Sequence, residues 1–256
     1  MITAELSNDQ LSRYSRHLLL PEIDLAGQAR LSQAKAVIVG AGGLGSPVAM
    51  YLTSSGVGHI TIFDDDSVDL GNLQRQIAFN NKDIGQAKAQ CLRNNLLALN
   101  PEIEIEAICH RADKGKLSQT TNDADILIDC SDNFDSRFII NQTSLDNKIP
   151  LVSGAAIRFQ GQVSVFDPRT KDAPCYQCLY NKEETDQPQQ SCHDRGVFAP
   201  LVGIIGSLQA AEALKVVLNI GKPLTGQLLT IDALNMSPRR LKLNKDPSCP
   251  ACGNNR

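Results

Sequence analysis

Apolar residues along this chain fall into short runs separated by stretches in which they recur every three or four positions. Ala36 to Val39 is an apolar run of strand character, followed at once by Gly40-Ala-Gly-Gly-Leu-Gly45. Pro47 to Ser55 has helical composition and is ended by Gly56 and Gly58. His59 to Phe63 predicts a second strand, running straight into Asp64-Asp65-Asp66. Gln86 to Leu99 has helical period, and Ile103 to Ala107 alternates as a strand. Asp125 to Asp129 predicts a buried strand, Ser136 to Asn147 a helix, and Pro150 to Ser153 a fifth strand. Strands alternating with helices predict an α/β fold, a Rossmann-like doubly wound and mostly parallel sheet covered on both faces.

From Gln160 the pattern changes. Gly161 to Phe166, Gly226 to Ile231 and Arg240 to Leu243 predict strands that extend the sheet antiparallel, with one long helix, Gly203 to Leu218, among them. At the other end, Asp9 is placed to cap a first helix whose stripe is Leu11, Tyr14 and Leu18, with Arg13 and Arg16 on another face. Asn181 to Gln190 is polar, lacks period and reads as a mobile loop. With no repeat and no linker, residues 1–256 read as a single domain. It has an N-terminal helical segment (1–34), a core (35–170) and a C-terminal part (171–256).

Length and charge narrow the function. A chain of 256 residues buries one substantial core, and a net charge of -3 argues against general nucleic-acid binding. Met1 to Gln10 is polar and acidic rather than an export signal, and Leu201-Val-Gly-Ile-Ile-Gly206 is too short to span a bilayer. A cytoplasmic protein with reduced Cys91, Cys109, Cys130 and Cys192 is expected, the first three as core residues.

The other cysteines form two pairs, Cys175-Tyr-Gln-Cys178 and Cys249-Pro-Ala-Cys252. Each pair sets two soft thiolates one turn apart, and two pairs complete a four-cysteine shell of the structural zinc type. Because the pairs are far apart, such a metal would pin the C-terminal tail onto a folded body. Four thiolates leave no open position for chemistry. Disulfides or redox CxxC motifs are the competing reading. Pro250 and Gly253 suit a metal knuckle better, and no βαβ unit surrounds the second pair.

Gly40, Gly42 and Gly45 satisfy G-x-G-x-x-G between a strand and a helix, with Asp64 at the end of the next strand to meet a ribose. That motif alone equally suits an NAD dehydrogenase. Other residues point to a triphosphate. Lys88 begins the apolar stripe of its helix, beside Cys91, Leu92 and Asn95, so it needs a partner, and a phosphate is a natural one. Arg75 lies in the polar stretch Asn72-Leu-Gln-Arg-Gln76. Asp132 follows the fourth strand, where open α/β sheets bind ligands, although capping the next helix would equally explain it. Two cations and one carboxylate for Mg²⁺ suit ATP better than nicotinamide.

In order along the chain stand Arg13-Tyr-Ser-Arg16, Gly40-Ala-Gly-Gly-Leu-Gly45, Asp64, Asn72-Leu-Gln-Arg-Gln76, Gly85-Gln-Ala-Lys88, Asp129-Cys-Ser-Asp-Asn133, Val152-Ser-Gly-Ala-Ala156 and the paired CxxC motifs. This set resembles the HesA/MoeB/ThiF adenylyltransferases, which activate ubiquitin-like sulfur carriers and are cousins of the ubiquitin-activating enzymes. Val152 to Arg158 and Gly203 to Gln209 look more like the molybdopterin-synthase type than its thiamine-pathway relative. The resemblance implies adenylation of a carrier's C-terminal Gly-Gly carboxylate with release of pyrophosphate. The cofactors it implies are ATP, Mg²⁺ and structural Zn²⁺. It implies a nucleotide site of Gly40, Gly42, Gly43, Gly45, Asp64, Asn72, Arg75, Gln76, Lys88, Asp132 and Asn133. Catalysis would fall to Asp132, Arg75, Lys88 and, reaching in trans across a homodimer, Arg16. Residues 171–256 would bind the carrier and hold the knuckle of Cys175, Cys178, Cys249 and Cys252. Cys192 matches a cysteine that in some members bonds the carrier covalently and in molybdopterin-type members looks dispensable, an incidental loop cysteine being the competing reading; sulfur would come from a separate protein. An NAD-dependent oxidoreductase, an inactive carrier-binding scaffold and a tRNA-modifying dehydratase are the competing readings.

Overall fold

The computed structural model describes residues 6–180 and 196–253. The loop expected at Asn181 to Gln190, and Cys192, lie outside these residues. The chain opens with α1 (Asn8–Arg13), α2 (Ser15–Leu18) and α3 (Asp24–Gln33). Next come β1 (Lys35–Val39), α4 (Gly45–Ser54), β2 (His59–Phe63), α5 (Lys88–Leu99) and β3 (Glu104–Ile108). They are followed by α6 (Lys114–Thr120), β4 (Ile126–Asp129), α7 (Phe134–Asn147), β5 (Leu151–Ile157) and β6 (Gln160–Phe166). The chain ends with α8 (Tyr176–Leu179), α9 (Ala199–Leu218), β7 (Gln227–Asp232) and β8 (Ser237–Lys242).

The strands form one eight-stranded sheet in the order β3-β2-β1-β4-β5-β6-β7-β8. Strands β1 to β5 are parallel, and β6, β7 and β8 are added antiparallel, as the change of pattern after Gln160 predicts. Alternate residues of the central strands enter opposite apolar layers. Ile38, Ile60, Ile62 and Ile128 pack with residues of α3, α4, α5 and α9. Val37, Val39, Phe63 and Leu127 pack on the other face with residues of α6 and α7. Strand order reverses between β1 and β4, and a crevice opens at their carboxyl ends.

Differences from the expected boundaries have local causes. Ser7, not Asp9, caps α1: its hydroxyl accepts from Gln10 N–H while the Gln10 side chain accepts from Ser7 N–H. The expected stripe divides at Tyr14, which is buried with its hydroxyl accepting from Asn100 Nδ2 at 2.9 Å, while Leu11 is exposed. Helix α5 starts at Lys88 rather than Gln86, because backbone groups of residues 85–88 are bonded to Asp66 and Val68. Helix α6 has no sequence signal strong enough to predict it; Asp113 caps seven residues of which only Leu117 is buried. Cys91 and Cys130 are core residues as expected, but Cys109 is exposed, since it follows the edge strand β3 and no layer covers it.

Helix α9 corrects a further expectation. It runs 20 residues, so by length and composition alone it is able to cross a bilayer. It serves instead as a core helix, with Leu201, Ile205, Ala210 and Ala213 fully buried. Its polar residues are partnered inside: Gln209 Nε2 donates to Asp129 O at 2.7 Å, and Glu212 Oε2 accepts from Leu224 N–H at 2.8 Å.

Candidate nucleotide site and cysteine cluster

A cavity of about 480 Å³ occupies the crevice at the carboxyl ends of β1, β2 and β4. Its floor is the turn between β1 and α4. Gly40 has a φ of +100°, and a Cβ on Gly45 would lie 1.9 Å from Gly40 O, so both positions require glycine. Gly40, Gly42 and Gly43 line the cavity, while Gly45 lies beneath the loop, where the helix starts.

Asp64 anchors this loop. Its Oδ2 accepts from Ala41 N–H at 2.7 Å and its Oδ1 from Asp66 N–H at 2.9 Å. Burial pushes the Asp64 carboxyl above its ordinary range, and the Ala41 amide and nearby Lys88 pull it partway back. Lys88 has a protein partner in this state: its nearly buried ammonium lies 2.7 Å from Asp66 Oδ2, a carboxylate that is 66% exposed. Arg75 lines the cavity, with Nη1 donating to Gly71 O at 3.1 Å. Gln76 is buried in the wall, and its Oε1 has no partner among the described residues.

Asp132 lies at the exposed mouth of the cavity. It does not cap α7. Asn133 does, accepting from Ser136 N–H at 2.9 Å, and Asn133 Nδ2 donates to Asp132 Oδ1 at 3.3 Å. Asp132 is therefore left to face the cavity. Two sequence-expected residues lie elsewhere. Asn72 is buried in a turn, accepting from Asp69 N–H, off the cavity wall. Arg16 is exposed on α2, away from the cavity, and its guanidinium makes no hydrogen bond or ion pair among the described residues.

Sequence reasoning missed two cations on the wall, Arg111 and Arg137. Arg111 follows β3, at the same end of the sheet, and donates to Asn133 Oδ1 at 3.3 Å. Arg137 lies on α7 and is buried. The available signal was its spacing, which puts it on one stripe with Phe134, Phe138 and Asn141. Burial works against its charge, and Asp129 and the Tyr176 oxygen outweigh that cost, holding the guanidinium protonated.

The four predicted cysteines do converge. Cys175 and Cys178 at α8 meet Cys249 and Cys252, and their sulfurs all lie within 4.8 Å of one another. Cys175 Sγ is 3.7 Å from Cys249 Sγ, and Cys178 Sγ is 3.4 Å from Cys252 Sγ. Disulfides, at about 2.05 Å, do not fit these separations. Tetrahedral Zn–S bonds of about 2.3 Å would place sulfurs about 3.8 Å apart, so the cluster fits a zinc-sized ion. Outer contacts orient two of the ligands: Asn141 Nδ2 donates to Cys175 Sγ at 3.8 Å and Asp246 N–H to Cys178 Sγ at 3.4 Å. The shell is closed, which suits a structural metal.

Comparison with known proteins places this geometry. The model of the ThiF family matches residues 14–251. The chain belongs to the ThiF family. Among similar ThiF-family proteins, a sulfur carrier protein adenylyltransferase of Thermus thermophilus is 42% identical, covering 96% of this chain and 92% of that protein. The molybdopterin-synthase adenylyltransferase of Escherichia coli is 40% identical, covering 98% of this chain and 99% of its own. The ThiS adenylyltransferase of the same organism is 38% identical, with 97% of each chain covered. In structure, E. coli MccB crystallised with succinimide superposes with a TM-score of 0.82 at 26% identity, covering 98% of this chain and 75% of MccB. The ThiF-family chain is an adenylyltransferase, as the ordered motifs lead one to expect.

Proposed function

We propose that this enzyme adenylates the C-terminal Gly-Gly carboxylate of a ubiquitin-like sulfur carrier, the small subunit of a molybdopterin synthase, with release of pyrophosphate. The observation that carries the reading is the convergence of the glycine turn, Arg75, Lys88 and Asp132 on one cavity at the switch point of the sheet. The carrier carboxylate is ionised at neutral pH, so its attack on the α-phosphate needs alignment and charge neutralisation more than a base. The backbone of Gly40, Gly42 and Gly43 cradles the phosphates, Asp64 holds the loop and meets the ribose, and Gln76 supports the wall. Arg75 and Lys88 bind the phosphates, Lys88 by exchanging Asp66 for a phosphate oxygen. Asn72, expected to contact the phosphates, lies buried in its turn off the cavity wall and is assigned no contact with them here. Asp132, with Asn133 beside it, would hold Mg²⁺, which supplies charge neutralisation when bound. Arg16, without a hydrogen bond or ion pair among the described residues, would reach the ATP of a second copy in a homodimer.

Residues 35–170 are read as the nucleotide-binding part and 171–256 as the part that meets the carrier and holds structural Zn²⁺, in a cytoplasmic enzyme supplied with sulfur by a separate protein. The choice of carrier rests on Val152 to Arg158 and Gly203 to Gln209; a thiamine-pathway carrier is the second reading, since identity to the ThiS adenylyltransferase, 38%, is close to the 40% to the molybdopterin-synthase enzyme. ATP–pyrophosphate exchange, with each carrier added in turn, tests both. Exchange that depends on the molybdopterin-type carrier and vanishes in Asp132→Ala supports the first reading. Exchange with the thiamine-type carrier alone supports the second. Exchange with neither, despite ATP binding, overturns the reaction.

A further inference from the structure

Arg137 bonds the segment before Asp132, strand β5 and Tyr176 at once. Its Nη2 donates to Ser131 O at 2.9 Å and to Gly154 O at 3.4 Å, and its Nη1 to Tyr176 Oη at 3.4 Å. Ser131 is gripped from the other side as well, its N–H and hydroxyl donating to Asp129 Oδ1 at 3.0 and 2.6 Å. The next residue is Asp132. Tyr176, for its part, lies inside the first CxxC pair and has little freedom. Its N–H donates to Asn141 Oδ1 at 2.9 Å, and its ring is packed by Phe138, Phe166 and Tyr180. A single guanidinium thus spans from the carbonyl preceding Asp132 to the hydroxyl of Tyr176, the residue after Cys175.

Volume alone does not account for an arginine here. A buried guanidinium carries a desolvation cost that an apolar side chain of similar size avoids. Arg137 Nε, moreover, is buried without a partner among the described residues. What arginine provides is a planar fork whose donors fix several acceptors at once, which neither an apolar residue nor lysine reproduces.

We propose that Arg137 is a positioning residue that sets the reach of Asp132 into the cavity and, through the Tyr176 hydroxyl, makes that reach depend on the order of the four-cysteine cluster. The proposal rests on the reading of Asp132 as the Mg²⁺-holding carboxylate. It predicts that damage confined to the Arg137–Tyr176 link weakens the response of ATP binding to Mg²⁺, with the cysteine-bound metal still in place.

The test is calorimetric titration of ATP at a series of Mg²⁺ concentrations, using wild type, Tyr176→Phe, Arg137→Lys and Asp132→Asn. Thermal unfolding and metal content are measured on each protein. Tyr176→Phe keeps the packed ring and removes only the hydroxyl; Arg137→Lys keeps a cation opposite Asp129 and loses the fork. The Mg²⁺ concentration giving half the full effect should rise about 3- to 10-fold in both, the loss of about one hydrogen bond. ATP affinity without Mg²⁺ should remain at the wild-type value in Tyr176→Phe, and metal content should do so in both. A merely structural role would lower the unfolding temperature and leave the Mg²⁺ dependence unmoved. If Asp132→Asn shifts that dependence while Tyr176→Phe and Arg137→Lys superimpose on wild type, the coupling is overturned and the reading of Asp132 stands. If Asp132→Asn itself changes nothing, the reading of Asp132 fails and the coupling with it.

Discussion

Replacing Lys88 by methionine should separate binding from stability. The Lys88 side chain is 7% exposed, whereas its partner Asp66 is 66% exposed. Removing the ammonium therefore strands no buried charge: Asp66 turns to water, and a pair of this kind contributes about 0–1 kcal/mol. Methionine fills the same narrow path along α5, and removing a buried ammonium relieves its desolvation, so stability should change by no more than about 1 kcal/mol. Nucleotide binding should respond differently. A charge-assisted hydrogen bond to a phosphate is worth about 1.5–3 kcal/mol, so ATP affinity should fall about 10- to 150-fold. AMP, with fewer phosphates to hold, should lose less. Urea denaturation measures the first quantity and calorimetric titration with ATP and AMP the second. A variant that loses more than about 2 kcal/mol of stability while binding ATP as wild type does would refute the argument, by showing that Lys88 serves the fold and not the ligand.

Three further outcomes follow from the same geometry. Cys249→Ser removes one of four converging thiolates; metal analysis should show sub-stoichiometric zinc, and hydrogen exchange should rise in residues 244–253 while the parallel sheet stays protected, with unchanged metal content contradicting the clamp. The Asp64 carboxyl titrates above its ordinary range, so its stabilising effect is present below the unfolded value and is lost as pH rises through the folded one. Wild type should lose stability relative to Asp64→Asn as pH rises from about 4 through that raised value, and parallel curves from urea denaturation would contradict it. Arg16→Ala, an exposed change outside the cavity, should leave the unfolding temperature unchanged but slow carrier-dependent exchange; wild-type rates would remove Arg16 from the reaction.

What was legible in the sequence followed periodicity and special backbone. Val37, Ile38 and Val39 alternate between two apolar layers, and the glycine turn after them allows few conformations, so both the sheet and its switch point were readable. Cysteine spacing likewise announced two ligand pairs. What was not readable depended on partners remote in sequence. The start of α5 is set by backbone bonds to Asp66 and Val68, and the exposure of Cys109 by its place after an edge strand. Lys88 was expected to need a partner, but that Asp66 fills the role is a tertiary fact. Arg137 was missed because a charged residue in a helix is ordinarily solvated, and only the fold shows which carbonyls it reaches.

The sheet ends at β8, whose residues are largely exposed and include Pro238, Arg239, Arg240 and Lys242. An unpaired strand invites another chain to continue the ladder. Here the β8 of a second copy would bring Arg239, Arg240 and Lys242 against like charges, and Pro238 offers no N–H to a ladder. Pairing of β8 with the β8 of a second copy is therefore disfavoured, more so at low ionic strength, where that repulsion is least screened.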